Sequence, residues 1–189
     1  VAIDTGTTAN EEGINTTGDT NKVTVSTTGS IATGGAGAVG IFNTGNTNTT
    51  NMSGTITTTG NEGLGITNWG NTNTTNMSGS ITTSGNDSSG ILNRGNNNTT
   101  NMSGSITTSG TDEEASGIYN WGNNNTTNMS GSITTSGAEA FGIWDKGNNN
   151  TTNMSGSITT SGLAGMGIAL AFGNSNTVTM SGSIVTSGV

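Results

Sequence analysis

The side chains able to do chemistry in this 189-residue chain are few and unevenly placed. His and Cys are both absent, which removes an imidazole base, a thiolate nucleophile, a disulfide, a haem ligand and an ordinary zinc site. Six of the seven aromatic residues, Phe42, Trp69, Tyr119, Trp121, Trp144 and Phe172, share one recurrent stretch of the sequence with two of the three basic residues, Arg94 and Lys146. Aromatic faces beside cations can recognise a glycan, a protein or a neighbouring copy of the chain, and Arg94 and Lys146 are placed to flank Trp121 at cation–π range. A plainer reading competes: the same side chains shield a sheet and stack on one another.

The acidic residues sit elsewhere, mostly in segments of variable length: Glu11, Glu12, Glu62, Asp87, Asp112, Glu113, Glu114 and Glu139. Stacked along one corner they form a negative ridge whose default role is solubility and the blocking of lateral association. Loose calcium binding at Asp112, Glu113 and Glu114 is the sharper alternative, although the GGxGxD core of calcium-binding β-rolls is missing. Polysaccharide cleavage needs carboxylates clustered on one face, and none cluster here, so no catalytic residue and no cofactor are expected. The segment GGAGAVG (34–40) lacks the Lys-Ser/Thr of a phosphate loop and reads as a corner. A net charge of -8 with three basic residues cannot neutralise a nucleic-acid backbone. No window approaches 18 apolar residues, so direct membrane insertion of this segment is not expected, and no basic-plus-apolar leader is visible.

These residues need elements to hold them, and composition limits which ones. Hydrophobic residues make up 27% of the chain, with 33 Gly and no Pro, so it either is disordered or folds around a thin core. Disorder usually comes with high charge, and only 7% of these residues are charged. The sequence then resolves into repeats: TxxMSGSITTSG recurs around Ile56, Ile81, Ile106, Ile133, Ile158 and Ile184, with a looser copy at Ile31 and a stub at Ile3, at separations of 25 to 28 residues. A Gly-Ile pair marks the other half of each unit, and most length variation falls between the TSG glycine and that pair, which reads as a loop outside the packed body.

Within a unit the period is two, so short strands are expected at Ile66–Trp69, at 74–78 and at 80–83. Alternation turns Ile56, Ile66, Met77, Ile81, Ile91, Met102, Ile106, Ile118, Ile133, Ile143 and Ile158 inward as the core. Asn43, Asn68, Asn93, Asn120 and Asp145 also point inward as an amide ladder that Asp145 breaks with a charge, leaving that carboxyl partly solvated or raised in pKa. The aromatic and basic residues point outward. The expected fold is therefore all-β, a three-sided parallel β-solenoid of about seven coils of about 25–27 residues. The whole chain, 1–189, is one domain: a degenerate first coil (1–34), near-identical coils (35–162) and a divergent last coil (163–189). A disordered Thr/Asn/Gly tract is the bland alternative, and the strict phase of Ile and Met argues against it.

The 80–83 strand and its copies carry outward pairs, Thr55 and Thr57, Ser80 and Thr82, Ser105 and Thr107, Ser132 and Thr134, Ser157 and Thr159. A flat hydroxyl and methyl array could order water as an ice-binding face, although β-branched residues are common on exposed strands for reasons of packing alone.

The units, TNMSGSITTSG followed by a variable loop and GIxNxGNxN, resemble the β-strand repeats in passenger regions of bacterial autotransporter adhesins and related surface proteins over nearly the whole chain. That resemblance implies a right-handed β-helix on a bacterial cell surface, although no outer-membrane barrel is present in this sequence. The expected role is a non-enzymatic extracellular adhesin or biofilm module that binds a host or cell-surface protein or glycan through the aromatic stripe. A filament subunit is the alternative: Ile3 and Ile184 lie in the same phase of the repeat, so the stack is expected to continue in a longer polypeptide or in separate copies stacking end to end or laterally.

Overall fold

The computed structural model describes residues 11–188 and the backbone of residues 2–4, and every element in it is a strand, 22 in all with no helix. Thr, Ile, Val and Asn in two-residue alternation favour short extended segments, and most are four residues long, with two side chains pointing in and two out. Three strands make one rung. They fall into three parallel sheets, of seven, seven and eight strands, in which each strand pairs with its copies one repeat away. The first sheet holds the Gly-Ile strands, such as Ile66–Trp69, Ile91–Arg94 and Ile118–Trp121; the second holds Thr74–Met77 and its copies; the third holds Ser80–Thr83 and its copies. The expected strands match these within one residue, and the parallel β-solenoid of about seven coils is the observed architecture.

Register is in phase throughout. Ile91 lies between Ile66 and Ile118, Met102 between Met77 and Met129, and Ile106 between Ile81 and Ile133. One continuous apolar column results, and every residue expected in the core is buried in it. Because each rung closes the next, a low apolar content suffices. Each buried Ile contributes about 1.5–3 kcal/mol relative to exposure.

The corners explain the glycines. A Cβ on Gly131 would sit inside the van der Waals envelope of the Gly104 carbonyl in the rung below, and one on Gly117 would strike Ile133 Cγ2 and the Gly142 carbonyl. Rungs spaced about 4.8 Å apart leave no room for a side chain where the chain turns inward.

The buried polar column behaves differently from expectation at its end. Asn93 donates to Thr100 Oγ1 at 3.0 Å and to Asn120 Oδ1 at 2.8 Å, and Asn120 repeats the pattern toward Thr127 and Asp145. Asp145 is fully buried rather than partly solvated, accepting from Asn120 and from Thr152 Oγ1. It terminates the ladder instead of breaking it, because the next residue in the column is Leu170, which offers no acceptor. Burial holds its carboxyl above the usual carboxylate range, and the two hydrogen bonds offset part of that effect.

A second correction concerns the variable loops. They are not wholly outside the packed body: Ala115, Ser116, Ala140 and Phe141 are buried.

Candidate ligand-binding face

Each strand of the first sheet has two outward positions, and the two differ in burial. The first outward column runs Phe42, Thr67, Leu92, Tyr119, Trp144, Ala169, and Phe141 packs against it. Tyr119 and Trp144 are 1% and 3% exposed, so neither presents a free face for a partner, contrary to the expectation that both belong to an exposed stripe. Their rings stack at 4.3 Å, and Phe141 meets Trp144 edge-on at 5.6 Å. Together with Leu92 they form a small second core outside the solenoid. Phe141 was not legible as part of this cluster, because it precedes Gly142 in what reads as loop; its strand begins at Phe141 and not at the Gly-Ile pair.

The second outward column, Thr44, Trp69, Arg94, Trp121, Lys146, Ala171, stays open. Arg94 Cζ lies 4.4 Å from the Trp69 ring centroid and 4.5 Å from that of Trp121. Lys146 Nζ lies 5.0 Å from Trp121, 5.1 Å from Trp144 and 5.5 Å from Phe172. The flanking of Trp121 by both cations is therefore present, extended into an alternating series from Trp69 to Phe172. Trp69, Trp121 and Phe172 remain 51%, 38% and 83% exposed, while Phe42 is half-buried and packs edge-on against Trp69 at 6.0 Å. Each exposed cation–π contact contributes about 0.5–1 kcal/mol, enough to order the side chains and hold the indole edges outward.

Beside this column runs the acidic ridge. Glu62, Asp87, Asp112 and Glu139 occupy one corner position per rung, all with left-handed backbone, and each N–H bonds to the loop of the following rung. Burial, then Asp112 and Glu62, raise the Asp87 carboxyl above its ordinary range. Asp112, Glu113 and Glu114 do not converge on a point, and among the described residues no group of acidic side chains is arranged to hold a metal ion. Glu114 turns instead toward a cavity of about 450 Å³ between ridge and column, lined by Glu62, Leu64, Asp87, Ser89, Leu92, Arg94, Glu114, Tyr119 and Trp121. The Tyr119 hydroxyl at this wall is buried with no hydrogen-bond partner, and burial, Glu114 and Glu113 push its pKa well up. Sequence reasoning missed the cavity, since Leu64 and Glu62 reach it from a loop whose folded path the repeat does not specify.

Two further surfaces repeat along the axis. On the third sheet Thr55, Thr57, Thr82, Thr107, Thr134 and Thr159 are exposed, while Ser80, Ser105, Ser132 and Ser157 are half-buried, all in unbroken register. A groove of about 570 Å³ follows the corner lined by Asn76, Asn101, Asn128 and the adjoining serines. Those amides donate to one another at 2.9 Å, so the larger groove has its polar groups engaged within the protein and holds no charge. No family model, curated protein or solved structure matches the chain.

Proposed function

We propose that the protein is a non-enzymatic extracellular module of adhesin type, a rigid rod that binds a partner on a cell surface through the open column of the first sheet. One observation carries this: Trp69, Trp121 and Phe172 are held exposed in line by Arg94 and Lys146, next to a polar cavity, on a rod whose other exposed large apolar side chains all lie in the last coil. Exposed aromatic anchors with a charged rim are what binding hot spots require. The acidic side chains of the ridge follow one another along one wall, a distribution that suits recognition and solubility better than paired acid and base work. Labelled protein is expected to bind intact cells saturably, and loss of that binding after protease or after glycosidase treatment of the cells identifies a protein or a glycan partner. Uptake no greater than that of an unrelated protein of equal net charge contradicts the proposal.

A second reading rests on the third sheet, whose outward face from Ser30 to Val185 carries only hydroxyl and methyl groups at spacings of about 4.8 Å between rungs and about 6.6 Å along a strand. Such a charge-free lattice suits the ordering of water. Thermal hysteresis in the purified protein supports an ice-binding role, and its absence removes that reading.

A further inference from the structure

The open column holds two cations that the protein itself leaves without a counter-ion. Acidic residues outnumber basic ones by 11 to 3, yet neither Arg94 nor Lys146 makes an ion pair or a hydrogen bond among the described residues. Their partners are aromatic rings alone: Arg94 Cζ lies 4.4 Å from Trp69 and 4.5 Å from Trp121, and Lys146 Nζ lies over Trp121, Trp144 and Phe172. A guanidinium held between two indoles has its faces covered, and what it keeps open is the planar fork of N–H donors at its edge. Arg94 is exposed, so that fork is accessible and already ordered. Trp69 and Trp121 are exposed beside it, and the edge of an aromatic ring carries its positive partial charge. The strip from Trp69 to Lys146 therefore offers donors and positive edges, and no acceptor to satisfy them.

From these groups we infer that the open column binds an acidic polysaccharide, one carrying a carboxylate on every second sugar and lying along the axis of the rod. Arg94 and Lys146 stand two rungs apart, about 9.6 Å, with Trp121 between them. A sugar chain in which acidic and neutral units alternate repeats its charge over about that length. An extended acidic peptide presents same-face side chains every ~6.8 Å and falls out of step with the cations. Arg94 supplies a bidentate partner for one carboxylate and Lys146 a point charge for the next. The hydroxyls between them need single donors. Asn96 and Asn123, two residues after Arg94 and Trp121, provide these: their Oδ1 atoms accept backbone N–H groups of the following rungs at 2.8 Å, and their Nδ2 groups are accessible and bond to no other described residue. The net charge of -8 opposes an anion at a distance, but that field is screened beyond about 8 Å at physiological ionic strength, whereas the ligand touches the two cations. This inference rests on the binding role proposed for the open column and names its partner chemistry.

The test is calorimetric titration of the whole protein with octasaccharides of hyaluronan and of unsulfated chondroitin, in which glucuronate alternates with a neutral amino sugar. The same octasaccharides with their carboxyls reduced to alcohols, and a decapeptide of alternating Glu and Ser, are the controls. Binding of at least one acidic octasaccharide is expected, with its reduced form and the peptide each at least about tenfold weaker. Arg94→Gln/Lys146→Gln is expected to weaken the acidic octasaccharide about 100-fold, and Arg94→Lys, which keeps the charge and loses the fork, about fivefold. The melting curve of each variant shows whether the fold survives, and should one not fold, the comparison of acidic and reduced octasaccharides on the unaltered protein decides. Equal binding of the reduced forms, binding of neither acidic octasaccharide, peptide binding of equal strength, or undiminished binding by the folded double variant overturns the inference. Cell binding that is retained while both acidic octasaccharides fail leaves the adhesin reading standing and this inference refuted. Binding of an acidic octasaccharide without any cell binding does the reverse.

Discussion

Asn120 donates to Asp145 Oδ1 across 2.6 Å, and that bond closes the buried amide ladder on a side chain that carries no N–H. In the rungs below, each Asn gives one proton to the next Asn and one to a Thr hydroxyl of its own rung. At the last step the neighbour is Leu170, so a donor would be stranded. Asp145 meets the need with acceptors alone: Oδ1 accepts from Asn120, and Oδ2 accepts from the Thr152 hydroxyl at 2.8 Å.

The first prediction follows from the direction of that pKa. Asp145 is raised in the fold by burial, so between its unfolded and folded pKa the native state binds more protons. Its contribution to stability is complete below the unfolded value and is lost as pH rises through the folded one. Asp145→Asn removes this dependence but leaves one amide N–H facing Leu170, at about 1–3 kcal/mol. Melting curves against pH are expected to show wild type ahead of the variant in acid and losing that lead toward neutrality; parallel curves contradict the assignment.

A second prediction concerns the close approach of rungs. Gly131→Ala places a methyl group against the Gly104 carbonyl and is expected to cost about 1–3 kcal/mol. Ile106→Asp, at a position 1% exposed, is expected to disrupt its rung by more than about 4 kcal/mol. Thermal unfolding followed by circular dichroism checks both, and an unchanged transition for Ile106→Asp is incompatible with the stacked core.

The third prediction separates the two outward columns. Trp144→Ser empties the small core around Tyr119 and Phe141 and is expected to destabilise the molecule by about 3 kcal/mol. Trp69→Ser, being at an exposed position, is expected to cost no more than about 1 kcal/mol, the value of its contact with Arg94. Equal losses of stability in the two variants contradict the division into a covered and an open column.

The solenoid itself was legible because Ile, Met and the Gly-Ile pair recur in strict phase, and period-two alternation leaves no freedom about which side faces in. The aromatic stripe was half legible. Tyr119 and Trp144 point outward from the sheet as alternation requires, yet outward is not exposed, because the two rings stack on each other and Phe141 packs edge-on against Trp144. Tyr119, Phe141 and Trp144 each occur in one rung only, so their packing has no periodic signature. Asp145 was misread as an interruption for a related reason: its role depends on Leu170, one coil further on, and not on its own repeat.

Binding by the double variant Trp69→Ser/Trp121→Ser tests the central claim most directly, since both indoles are exposed and neither belongs to the solenoid core. With the melting curve confirmed to lie near that of wild type, saturable binding to intact cells is expected to fall at least about 100-fold, as for the loss of two hot-spot aromatics. Undiminished binding by a folded double variant contradicts the assignment of the open column as the binding face.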